Sequence, residues 1–108
     1  MTNRQGKDRL ESLLAIYKKD PGDSFIKYGI ALEYLSRKDN LKAEEFFQMI
    51  LKDDPSYIPA YMQYGIYHSN QNNIDKAKDL FKKGIEIAKK AGDKHAAKEM
   101  EDFLDELD

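Results

Sequence analysis

An internal register of 34 residues constrains this chain more than any other feature of it. Asp20-Pro21 recurs at that interval as Asp54-Pro55. One Asp-Pro pair means little, because proline stops helices and aspartate favours turns wherever they fall. The same shift, however, lays Lys42 on Lys76, Ala43 on Ala77 and Phe47 on Phe81. It exchanges Ala31 for Gly65, Leu32 for Ile66, Asp39 for Asn73, Phe46 for Leu80 and Leu51 for Ile85. Small, aromatic and turn residues are the ones whose positions packing tolerates least. A further shift backward sets Leu13 against Phe47 and Ile16 against Ile50. The chain thus reads as a single domain over 1–108, with a half repeat at 8–21, full repeats at 22–55 and 56–91, and a terminal helix at 93–107 outside the register.

Each full repeat reads as two helices. Ser24 or Asp23 can cap a helix running to about Arg37, after which "KDN" turns the chain. From about Leu41 to Asp53, residues Ala43, Phe46, Phe47, Ile50 and Leu51 recur at helical spacing. The next pair spans about Tyr57–Asn70 and Ile74–Ala91, with Ser56 and Asn73 as candidate caps and Pro59 in a first turn, where its missing N–H costs little. A helix over Lys7–Lys19 precedes these. Gly92 can end the fifth helix and Asp93 can cap the sixth, whose apolar residues Ala96, Ala97, Met100, Phe103, Leu104 and Leu107 form one stripe. The expected fold is all-α, of about six helices, with short connections that force neighbours to pack antiparallel.

Composition removes several classes of function. There is no Cys and there are only two His, which excludes disulfide frameworks and thiolate zinc sites. His68 falls at a packing position and reads as a half-buried spacer; His95 sits in a charged turn. Glu44 and Glu45 are adjacent on a helix and point apart, as solvated surface does. No glycine-rich phosphate loop and no nucleophile–His–acid set occurs, so no catalytic residue, metal ligand or cofactor is expected. The formal charge of −2 offers no field for nucleic acid. The amino end is too charged for a secretory leader and no apolar run reaches membrane-spanning length, so a cytoplasmic protein is expected.

Charge is nevertheless uneven. From Gln71 to Gly92 six Lys face three acids, and from Asp93 to Asp108 seven acids face two Lys. The preferred reading is attraction between the last two helices where they pack; the alternative is a docking patch for a basic partner.

These residues resemble the tetratricopeptide repeat, a helix–turn–helix unit of 34 residues with small residues at set places and a proline at its end. Ile30, Ala31, Tyr34, Ala43, Phe47, Ile50 and Pro55 fill the pattern in one repeat; Tyr61, Tyr64, Gly65, Ala77, Phe81 and Gly84 fill it in the next. The resemblance covers roughly residues 8–91. Departures are Lys27 at a large-apolar place, His68 for an aromatic, and no proline closing the second repeat. The resemblance implies a right-handed superhelical array with a capping last helix, and a concave face that meets peptides. On that face it would place Phe25, Tyr28, Leu32 and Leu35, spaced i, i+3, i+7, i+10, and then Met62, Gln63, Ile66, Ser69 and Asn70. Tyr28 and Leu32 stand where a clamp for a terminal carboxylate would need Lys and Asn, so that subtype is not implied.

Two functional readings follow: a non-catalytic module binding an apolar peptide or helix of a protein partner, or a homodimer joined through the same face. Partial packing of Phe25 and Leu35 against the first helix is the plainer account of those side chains.

Overall fold

Turn chemistry sets where each helix begins and ends. The computed structural model describes residues 4–108, and side chains from Arg9 onward. Among the described residues there are six helices and no strand: α1 Arg4–Lys19, α2 Ser24–Ser36, α3 Asn40–Asp53, α4 Ile58–Asn70, α5 Ile74–Ala91 and α6 Lys94–Leu107. They form two compact units, one ending at Asp54 and one running Pro55–Asp108.

Three aspartates cap as N-terminal residues should, each carboxylate accepting from a backbone N–H three residues on. Asp23 accepts from Ile26 at 3.2 Å, Asp39 from Lys42 at 3.4 Å and Asp93 from Ala96 at 3.0 Å. Ser24, the other candidate for α2, instead donates its hydroxyl to Asp54 Oδ2 at 2.7 Å. Two expected caps differ. Ser56 lies one residue too early for α4, whose N-cap is Tyr57 and has no side-chain cap bond. Pro59, second in that helix, has no N–H to offer, and the Ala60 N–H donates to the Tyr57 carbonyl at 3.3 Å. Asn73 does occupy the N-cap of α5, but its side chain does not cap; its amide reaches His68 Nδ1 at 3.2 Å.

The 34-residue register reappears in the backbone. Asp39 N–H donates to the Tyr34 carbonyl at 2.9 Å, and Asn73 N–H to that of His68 at 2.8 Å. Lys38 and Asn72, in the same turns, both take left-handed φ values, 62° and 63°. At the end of α5 the left-handed residue is Gly92, φ 77°, which lacks a Cβ and adopts it without strain.

In the first unit, α2 and α3 pack through fully buried Ile30 and Ala31 against Ala43, Phe47 and Ile50, with Phe46 nearly so. Alanine at 31 and 43 brings the backbones close, and the phenylalanines fill the space beside them. α1 covers this pair. Tyr17 sets its ring edge-on to Phe46, centroids 5.3 Å apart, and its hydroxyl donates to Met49 Sδ at 3.6 Å. Lys27, the departure from the repeat pattern, is only 2% exposed. Its methylene stem takes the place of an apolar side chain, and its ammonium reaches Asp53 Oδ2 at 3.4 Å.

In the second unit, α5 runs antiparallel between α4 and α6. A Cβ at Gly65 would stand 2.6 Å from the Phe81 ring, so only glycine lets α4 and α5 approach as they do. Phe81 in turn stacks on Phe103 of α6, centroids 5.5 Å apart and rings 10° from parallel. The buried Tyr61 hydroxyl donates to the Pro55 carbonyl at 2.6 Å. His68 is buried rather than half-buried, at 4% exposure, beside the Tyr64 and Tyr67 rings. It replaces an aromatic in packing while its Nδ1 engages Asn73.

The opposite charges of the last two helices do meet. Lys78 Nζ lies 2.9 Å from Asp108 Oδ1, and Lys89 Nζ 3.2 Å from Glu101 Oε2. Hydrogen bonding first, and Coulomb attraction second, hold the Asp108 carboxyl below its usual range and the Lys78 ammonium above its own. Both groups are in water, so the pairs orient α6 more than they stabilise it.

Candidate interaction surfaces

α2 carries four of the residues picked out by spacing. Phe25, at its start, is 69% exposed; Tyr28, Leu32 and Leu35 are half-buried on the following turns. Partial burial pushes the Tyr28 phenol above its ordinary value, so it stays neutral in neutral solution. α1 lies against the neighbouring strip of α2, where Leu13 comes near Gly29 and the Arg9 Nε lies 3.5 Å from Glu33. Phe25 remains largely in water despite that neighbour.

α4 carries the other five. Met62, Gln63, Ile66 and Ser69 are half-buried and Asn70 is exposed. The fold brings three of these, Ile66, Ser69 and Asn70, to a recess of about 170 Å³. Phe81 forms its floor from α5, and Phe103, Glu106 and Leu107 close it from α6. Met62 and Gln63 do not line it. The α6 contributors were not among the residues singled out as a site, although Phe103 and Leu107 were visible as part of an apolar stripe. Their signal was the i, i+4 pair of large apolar residues beside an acid at 106.

Chemically, both faces can take up apolar groups, with amide, hydroxyl and one carboxylate to orient them. Among the described residues no group of three or more His, Asp or Glu could hold a metal ion, and no helix is long and apolar enough to cross a membrane.

These features define a helical-hairpin repeat protein. Comparison with known proteins narrows the class. The chain is 28% identical over 99 residues to a TPR repeat-containing protein of Pseudomonas aeruginosa, covering 92% of this chain and 94% of that one. It is 31% identical over 68 residues to superkiller protein 3 of Schizosaccharomyces pombe, covering 60% of this chain but only 5% of that much longer protein. Among solved structures, a tetratricopeptide repeat domain protein from Salinibacter ruber superposes with a TM-score of 0.78 at 28% identity, over 82% of this chain and 90% of that one. A protein from Bordetella parapertussis shares the fold with a TM-score of 0.77 at 22% identity, over 91% and 85% of the two chains. No family model matches the chain. The chain shares its fold with these tetratricopeptide repeat proteins. Such folds generally mediate protein–protein interaction and are generally non-enzymatic.

Proposed function

We propose that this chain is a non-catalytic interaction module that holds an apolar segment of a protein partner. Its contact residues are Phe25, Tyr28, Leu32 and Leu35 on α2, and Met62, Gln63, Ile66 and Asn70 on α4. The observation that carries the reading is Phe25, an aromatic side chain left 69% exposed at the head of a stripe of half-buried apolar groups. A single exposed apolar residue is ordinary, but a continuous stripe on one helix face marks a surface for contact. Burying each Leu-sized side chain contributes about 1.5–3 kcal/mol. A few of them support micromolar association once the cost of immobilising two molecules is subtracted.

Selection from a displayed random peptide library on the full chain tests this. The expected yield is apolar-rich peptides whose binding disappears in Leu32→Glu. Light scattering over a concentration series runs beside it. A mass that doubles with concentration, and reverts in the same variant, would assign the face to a second copy instead. Absence of any enriched peptide at constant monomer mass would overturn the reading.

A further inference from the structure

The recess between α4 and α6 is apolar at its floor and negative at its lip. Ser69 and Asn70 are among the last residues of α4, and Glu106 and Leu107 are the last two of α6. Two helices therefore finish at this recess, and the carbonyl ends of their dipoles favour positive charge there. α5 begins at the same end, but Asp75 in its first turn opposes the positive end of its dipole. Glu106 adds a full negative charge, and among the described residues it has no ion-pair partner. Lys78 of α5 does not compete for it, being engaged 2.9 Å away by Asp108. Beneath the lip lie the stacked Phe81 and Phe103 rings.

We infer that this recess receives the side chain of an arginine in the partner segment. The inference rests on the interaction reading above and names the partner's chemistry at one end of α4. The methylene stem of the arginine lies along Ile66 and Leu107, and the guanidinium plane sits by the Phe103 ring. Its N–H groups donate to the Glu106 carboxylate and the Asn70 side-chain carbonyl. Arginine fits better than lysine because its guanidinium is planar, weakly hydrated and stacks on aromatic rings, whereas an ammonium holds its water tightly. A neutral apolar side chain would fill the floor but leave Glu106 and both helix ends unanswered.

The test uses the isotopically labelled full chain and three capped tripeptides: Leu-Arg-Leu, Leu-citrulline-Leu and Leu-norleucine-Leu. Citrulline keeps the shape of arginine without its charge. The arginine peptide should shift the amide resonances of Ile66, Asn70, Phe103 and Leu107, and the affinity should fall as salt is raised. Glu106→Gln should weaken it about two- to fivefold, the range for a solvent-accessible charge contact. Glu101→Gln, the same charge change on α6 but at the residue paired with Lys89, should leave it unaltered. Equal binding of the citrulline peptide, no loss in Glu106→Gln, or an equal loss in Glu101→Gln would each overturn the inference. Binding of the norleucine peptide at the same amides, with arginine no better, removes the arginine and leaves the apolar-segment reading standing. No shift on α4 or α2 with any of the three removes both.

Discussion

Gly84 and Met100 meet so closely that a Cβ on Gly84 would stand 2.5 Å from the methionine sulfur. The same Cβ would lie 2.8 Å from Cβ of Tyr61. α5 is thus hemmed in from α4 and α6 at a single residue. Alanine there would gain about 1 kcal/mol in helix propensity but would overpack the seam by roughly 1–3 kcal/mol. Met100 is flexible enough to yield; Tyr61 Cβ, fixed to its backbone, is not. Strain wins, and Gly84→Ala should destabilise by up to about 2 kcal/mol.

Gly29 supplies the contrast. A Cβ there would meet only Leu13 side-chain atoms at 3.7 Å, an ordinary contact. Gly29→Ala should therefore stabilise, by about 0.5–1 kcal/mol. Urea midpoints of the two variants check the pair, and shifts of the same sign would contradict the packing described here.

Lys38 offers a second stabilising change. It holds φ 62° in the turn after α2, where an L side chain crowds the following carbonyl. Asn72 holds the matching position after α4 at φ 63°, but asparagine tolerates this region better than lysine. Lys38→Gly should raise stability by up to about 1 kcal/mol, after the entropy glycine adds to the unfolded chain. Asn72→Gly should change little. Thermal denaturation of both variants decides, and an equal gain at the two sites would count against the strain argument.

Lys27 and Asp53 form an asymmetric pair, with side chains 2% and 59% exposed. Replacing the buried member by an apolar residue of similar length removes a desolvated charge together with its need for a partner. Lys27→Met should fall within about 1 kcal/mol of the parent, on either side. Asp53→Asn leaves the ammonium buried without its counter-charge and should cost more, about 1–2 kcal/mol after allowing for the water around Asp53. Lys27→Ala, which deletes the stem as well, should cost most. Any other ranking in chemical denaturation would mean that Lys27 is held by something besides Asp53.

These residues also show what the sequence could and could not convey. Asp23 and Asp93 were legible as helix starts because a cap needs only a short acceptor at the right offset, whereas Asp39 read only as part of a turn. Ser56 misled because Pro59 shifts the usable N–H groups, and Asn73 because His68 competes for its side chain. Lys27 read as a departure from the pattern, since composition alone cannot say that a methylene stem will be buried while its tip finds Asp53. On α4, Ile66 and Asn70 could be picked out by register. Their meeting with Phe103 and Glu106 could not, because α6 lies outside the repeat and its position follows from the fit of Met100 over Gly84 and Phe103 over Phe81.

Leu32 and Ile66 occupy equivalent places in the 34-residue register, on α2 and α4, and both are half-buried rather than core. A carboxylate at either position can reach water, so the helices should survive it, yet it would place a charge where an apolar segment is proposed to lie. Leu32→Glu and Ile66→Glu should each keep the helical circular dichroism spectrum and lower affinity for apolar peptides at least tenfold, about 1.4 kcal/mol. Gln48→Glu, the same charge at an exposed position on α3, should leave binding unchanged. Isothermal titration with one selected peptide against all three variants is the measurement. If the two Glu variants unfold, those side chains belong to the core and the interaction faces must be sought elsewhere. If they fold and bind as the parent does, the α2 and α4 faces are not the working surfaces.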